Sequence, residues 1–381
     1  MFIYMMAIWL HKGFVFEGLV KNTADGIKLW LAKKWDVSED GREYTFYLRD
    51  DVKFTDGEPF NAEAVKLNID AVQENKKRHS WLELSNKIQN CEVVDEYTVK
   101  LKLSDPYYPA LVELGLTRPY RMMSPATFID GKTSNGVKEN IGTGPYKIEE
   151  YVEDQYATFI ANEEHWDKAP AIKHIKMLIM PSGETPLMAM MNGEVDLIFS
   201  RDVSGLLNID SLLNLKENEK FKVEFSPPCS TRFLLTNNLS ERLISDKNIK
   251  NAVWHAINKE DFCKYVMSEL ELPSQTVFAR SVPYCDLDLD LKEFNQDRAK
   301  ELIEASGWKF NEKTGYYSKD NKTLTLELVY SSTSEQNKAI CEFIQSNLKD
   351  AGMEVVLVPS EENSVRQLRS AGKYDIYLDR T

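Results

Sequence analysis

Leu324-Thr-Leu-Glu-Leu-Val-Tyr330, the amphipathic run Glu335 to Ala351, then Gly352 and Met353-Glu-Val-Val-Leu-Val358 read as strand, helix, stop and strand. Apolar residues alternate in the first piece, while those of the long run recur at helical spacing. Gly352 is the residue type that closes a helix, because it accepts the left-handed conformation without a Cβ clash. A short helix at Ser364 to Ser370 and a strand at Tyr374 to Leu378 continue the series. Strand, helix, strand, helix, strand is the grammar of an α/β lobe with parallel pairing.

The same reading extends toward the N-terminus. Gln296 to Ser306 is a helix ended by Gly307, Asp246 starts another through Ile249, Val253 and Ile257, and Arg232 to Thr236 is a strand. Glu184 to Asn192 reads as a helix stopped by Gly193, with Val195 to Phe199 as a buried strand. Further strands fall at Tyr146 to Tyr151, Tyr156 to Ala161 and Ile172 to Met180, the first entered from the compact turn Gly142-Thr-Gly-Pro145. Pro109 to Leu116 suggests an apolar helix, and Cys91 to Val94 and Thr98 to Leu103 suggest strands. Asn61 stands where an N-cap belongs, before a helix from Ala62 to Gln73 with Val65, Ile69 and Val72 on one face. Asp40-Gly41 marks a hairpin turn, after which Tyr44, Phe46 and Leu48 alternate as on a half-buried strand. Two α/β regions, 1–228 and 229–381, therefore frame a cleft protein, and clefts between lobes enclose small molecules on many sides.

Composition narrows the function. The chain has 381 residues and a net charge of −13, which argues against a nucleic-acid partner, since a phosphate backbone needs clustered Lys and Arg. The short basic run Lys76-Lys77-Arg78 reads by itself as a solvated loop. Cys91, Cys229, Cys263, Cys285 and Cys341 are scattered, so neither a disulfide framework nor a zinc knuckle is expected, and most should be small buried hydrophobes. The apolar stretch Met1 to Leu10 lacks a basic flank and a cleavage site. It also falls short of the about 20 residues that cross a bilayer.

Catalytic motifs are absent. No phosphate-binding Gly-x-x-x-x-Gly-Lys loop occurs, no Gly-x-Ser-x-Gly elbow, and the Gly142/Gly144 pair runs into Pro145 rather than a helix. His11, His79, His165, His174 and His255 form no close pair, and the adjacent acids Glu163-Glu164 and Glu361-Glu362 read as solvated surface. No enzyme, no catalytic residue and no directly metal-ligating residue is expected.

The hairpin stretch carries a resemblance. Trp35-x-x-Ser38-x-Asp40-Gly41-x-x-Tyr44-Thr45-Phe46-x-Leu48-Arg49, continued by Val52-Lys53-Phe54-x-Asp56-Gly57-x-Pro59-Phe60-x-Ala62, resembles the signature of family 5 extracellular solute-binding proteins. Gly142-Thr143-Gly144-Pro145-Tyr146, Asn162-Glu-Glu-His-Trp166 with Ile172-Lys-His-Ile175, Gly193-Glu194-Val195-Asp196 and the helix Asp246 to Lys259 resemble its further landmarks. The resemblance implies a two-lobed periplasmic-binding-protein-like fold (type II, cluster C), with the family's extra subdomain at roughly 35–165 of the first lobe. It implies a monomeric substrate-binding subunit of an ABC importer, periplasmic or a cell-surface lipoprotein, that hands its ligand to permease subunits and carries no resident cofactor. Against the family pattern the chain is expected to be truncated at both ends, with the second lobe incomplete.

Arg78-His79-Ser80-Trp81-Leu82-Glu83-Leu84 and Arg118-Pro119-Tyr120-Arg121 resemble the nickel-binding branch. In that branch, arginines at the positions of Arg78 and Arg118 hold the carboxylates of a small chelator such as histidine, and a tryptophan at that of Trp81 walls the pocket. The implied ligand is Ni²⁺ in a small-molecule chelate, and the implied ligand-binding residues are Arg78, Trp81 and Arg118. Related alternatives are a metallophore complex of nickel, cobalt or zinc, and di- or oligopeptides. Read without the resemblance, Arg118 equally suits capping of carbonyls and Trp81 a place in the core.

Overall fold

The structure, a computed structural model, describes residues 2–5, 12–180, 184–199, 207–226, 230–278, 282, 285–289 and 292–381. His11 and Cys229 lie outside the described residues. The chain divides into two compact units, Met1–Arg201 and Asp202–Thr381.

The second unit is built on residues 324–358 and the strands beside them. Its four-stranded sheet runs Arg232–Thr236, Ile376–Arg380, Thr325–Ser331, Glu354–Ser360. Thr325–Ser331 pairs in parallel with both Glu354–Ser360 and Ile376–Arg380, and the helices Glu335–Asp350 and Glu362–Ser370 make the crossovers. Parallel strands need such crossovers and are covered on both faces. Thus Leu326, Leu328 and Tyr330 enter a core with Ile340, Ile344 and Leu348. Val329, from the other face, packs with Val365, Tyr374 and Tyr377. The boundary between units falls upstream of the expected 228/229, because the helix Ile209–Glu217 sends Ile209 and Leu213 into this second core.

The first unit holds two larger sheets. In one, Ala32–Val37, Glu43–Leu48, Thr98–Leu103 and Ile88–Asp95 form an antiparallel ladder in that order. Tyr44, Phe46 and Leu48 are buried as the alternation demands. The helix Ala62–Glu74 buries Val65, Ile69 and Val72, and Asn61 accepts from the Ala64 N–H at 3.0 Å, so the cap is the expected one.

The other sheet runs Tyr146–Val152, Tyr156–Ala161, His174–Leu178, Phe2–Met5, Leu197–Phe199. Phe2–Met5 is an interior strand, parallel to both neighbours. Its sequence shows no alternation, and an interior parallel strand reads as a plain apolar run. Leu197–Phe199 is shorter than expected and lies at the sheet edge, with Leu197 and Phe199 exposed and Val195 as the buried residue.

Cys91, Cys263 and Cys341 are free and buried, and Cys285 is half-buried. Burial pushes the Cys91 and Cys341 thiols up to about 12 and that of Cys263 to about 11, so none is a nucleophile near neutral pH. No helix among the described residues is long and apolar enough to cross a membrane.

The turn before the sheet shows why Gly142 and Gly144 are glycines. A Cβ on Gly142 would stand 2.1 Å from the Val15 carbonyl oxygen, and one on Gly144 would stand 2.5 Å from that of Phe14. Gly142→Ala should lower the thermal stability of the protein by roughly 1–3 kcal/mol through forced backbone displacement. Gly13→Ala, whose Cβ meets nothing within 4 Å, serves as the control. Equal melting midpoints for the two variants would contradict the close approach.

Candidate ligand-binding site

All three expected ligand residues belong to the first unit, on two segments. The first segment leaves the helix Ala62–Glu74, makes a 3₁₀ turn at Lys76–His79 and enters the short helix Glu83–Lys87. Lys76, Lys77 and Arg78 are exposed on that turn, which replaces the loop expected there. Leu82 and Leu84 are buried in the core. They occupy the apolar positions and leave Trp81 turned out, 60% exposed, so its core reading does not hold.

The second segment follows Ala110–Leu114, shorter than the helix expected to Leu116. Arg118 is extended (φ −125°, ψ 114°) and partly exposed, joined to Pro119 by a cis peptide, with Pro119 and Tyr120 buried behind it.

Two polar contacts, one buried and one partly buried, fasten these segments to each other. The Tyr120 and Ser85 hydroxyls lie 2.8 Å apart, and the Leu84 N–H donates to Glu113 Oε2 at 3.0 Å. Such contacts are costly to leave unmade once out of water, so the register between the Trp81 turn and the Arg118 turn is fixed. The chain beyond Arg118 is fixed as well. The buried Asn68 donates to the Met123 and Ala64 carbonyls at 2.8 and 2.9 Å and accepts from the Met123 N–H at 3.0 Å.

Below them lies a hub that sequence reasoning missed. Glu17 is 4% exposed and its carboxylate is fully engaged. Oε1 accepts from Trp30 Nε1 at 2.8 Å and from His165 Nε2 at 3.2 Å. Oε2 accepts from Thr143 Oγ1 at 2.8 Å and Trp166 Nε1 at 3.0 Å. His165 Nδ1 lies 3.2 Å from the Lys168 carbonyl oxygen and 3.4 Å from the Lys168 N–H. The only hint in the sequence is a lone acid inside the apolar run Phe14 to Val20. The landmark turn with Thr143 and the landmark His165-Trp166 thus serve one buried carboxylate, and the Glu17 carbonyl accepts from Met122 N–H at 2.8 Å.

Two surface cavities of this unit, one beside Lys66, Asp70 and Cys91 and one beside Glu17, Trp30 and His165, include none of Arg78, Trp81 and Arg118. Among the described residues, no group of three or more His, Cys, Asp or Glu side chains could hold a metal ion. Glu163, Glu164, Glu361 and Glu362 are exposed, as expected of solvated acids.

The first unit thus presents an exposed indole and two arginines on segments held by packing. The chain belongs to the bacterial extracellular solute-binding proteins of family 5, whose sequence profile matches residues 26–381. It is 36% identical over 371 residues to the nickel-binding periplasmic protein of Escherichia coli K12, covering 97% of this chain and 70% of that protein. It is 26% identical over 324 residues to the glutathione-binding protein GsiB of Pectobacterium atrosepticum, spanning 61% of that protein's length. Among solved structures, NikA from Brucella suis in complex with Fe(III)-EDTA superimposes with a TM-score of 0.94 at 35% identity, over 100% of this chain and 76% of that one. The two-lobed α/β fold class and the family expected from the motifs both stand, and the family is one of solute-binding proteins, not enzymes.

The hub yields a test. Glu17→Gln replaces an acceptor-only carboxylate by a carboxamide that must place an NH₂ against existing donors. Stability to denaturant should fall by about 1–3 kcal/mol, the cost of a buried unsatisfied group. An unchanged midpoint would show that the four contacts carry no weight.

Proposed function

We propose that the chain captures nickel as a small-molecule chelate, such as nickel with histidine, for delivery to ABC permease subunits. Arg78 and Arg118 grip carboxylates of the chelator and Trp81 packs on its rings or alkyl chain. In this reading the protein is a monomer outside the cytoplasm, periplasmic or lipid-anchored at the cell surface, and nickel is its cargo, not a resident cofactor. A metal that already has most of its nitrogen and oxygen ligands asks a protein for contacts to the chelator. Arginine suits this, since its planar fork makes paired charge-assisted hydrogen bonds to carboxylates. An exposed indole offers a large flat face at low entropic cost.

One observation carries the reading. Ser85–Tyr120 and Leu84–Glu113 lock the Trp81 turn to the Arg118 turn, while Trp81 stays 60% exposed and the arginines stay off the core. The likeness to a nickel-binding periplasmic protein over 97% of the chain supports the choice of metal.

Tryptophan-fluorescence titration with Ni²⁺ plus excess L-histidine tests it. Arg118→Ala should weaken binding about 10- to 150-fold, corresponding to roughly 1.5–3 kcal/mol for one charged hydrogen-bonded contact. Arg78→Ala should act in the same direction and Trp81→Ala less strongly. Unchanged affinity in both arginine variants would remove this site. Binding of a dipeptide pool or glutathione without metal would move the protein to the peptide-binding alternative.

A further inference from the structure

Arg49, Arg232, Arg242, Arg298, Arg366 and Arg369 each have a carboxylate within 3.3 Å. Arg121 does not. It is partly buried, and among the described residues no acid pairs with it. Its Nε donates to Met123 Sδ at 3.3 Å, and its guanidinium carbon lies 5.3 Å from the centroid of the Phe16 ring. A thioether is a weak acceptor and a ring face neutralises no charge, so this cation is desolvated with little in return. Arg118, three residues earlier, adds a like charge. Burial first, and the Arg118 charge second, pull the Arg121 guanidinium below its ordinary value. The chain holds 60 acidic residues against 47 basic ones, yet among the described residues none pairs with this partly buried arginine.

The position is also held. Asn68 clamps Met123 from both its N–H and its carbonyl, and the Glu17 carbonyl holds the Met122 N–H, so the backbone that carries Arg121 is fixed just beyond it. A fixed, uncompensated charge beside a ligand-gripping arginine acts on whatever anion arrives there.

We propose that Arg121 is a specificity-determining residue that, with Arg118, balances excess negative charge on the ligand and favours chelates of net negative charge over neutral chelates of the same metal. This rests on the chelate reading above. Arg118 touches the ligand, and Arg121 contributes through its charge, by direct contact or across a short distance.

The test compares dianionic Ni–EDTA with the neutral bis-histidine complex of nickel, using the whole chain. Arg121→Met keeps an apolar stem against Phe16 and Met123 but removes the charge, and Arg121→Lys keeps the charge. Arg121→Met should weaken Ni–EDTA binding about tenfold or more, as loss of one charged contact does, and the neutral complex less than about threefold. Arg121→Lys should retain most of the difference. Added salt should narrow the preference in the wild type and leave the Met variant little changed. Equal weakening of both chelates together with a lowered melting midpoint, or no weakening of either, overturns the inference and leaves the chelate reading intact. A wild type that binds neither complex overturns both.

Discussion

The Glu17 carboxylate is the contact on which several separate segments of the first unit depend. A carboxyl group out of water is tolerated only when its hydrogen-bonding capacity is met, and here Trp30, Thr143, His165 and Trp166 meet it from three separate parts of the chain. The same residue holds Met122 through its backbone. Its neighbours Val15 and Phe16 accept the close approach of Gly142 and the stacking of Arg121. The segment around Glu17 is therefore a spine. The turn that precedes one sheet, the aromatic residues beyond it and the segment that carries Arg121 all take their places from it.

Charge is arranged on two scales. The chain as a whole is acidic, with 60 acids against 47 bases, and its surface pairs such as Lys102–Glu92 and Arg298–Glu301 are solvated and individually worth little. Around Arg118 that sign is inverted locally. Arg118 and Arg121 stand close together, Arg78 is exposed on the neighbouring segment, and the contacts between segments are neutral hydroxyls and a carboxylate that serves the backbone. The contacts of Ser85, Tyr120 and Glu113 that fix the geometry between the two segments thus involve neither Trp81 nor Arg118.

Local features were legible in the sequence because they are local. The Asn61 cap, the buried Tyr44, Phe46 and Leu48, and the helix Glu335–Asp350 ending at Gly352 each follow from residues within one or two turns of one another. Trp81 and Arg118 could be singled out by resemblance, yet their exposure follows from where Leu82, Leu84, Pro119 and Tyr120 are anchored. Glu17 was illegible because its partners are 13 to 149 residues away. Phe2–Met5 was illegible because a strand flanked by parallel neighbours has no periodic signature. The helix Ile209–Glu217 likewise reveals its allegiance only through the core it enters.

The central claim is that metal and chelator are held together, through the chelator. Equilibrium dialysis of the protein against Ni²⁺ and L-histidine, with metal and amino acid quantified separately on both sides, measures this directly. The account predicts that nickel and histidine are retained in a fixed ratio when both are supplied, and that neither is retained when supplied alone. Retention of nickel without histidine would contradict it, because the protein's own side chains would then be the ligands and the arginines would have nothing to grip.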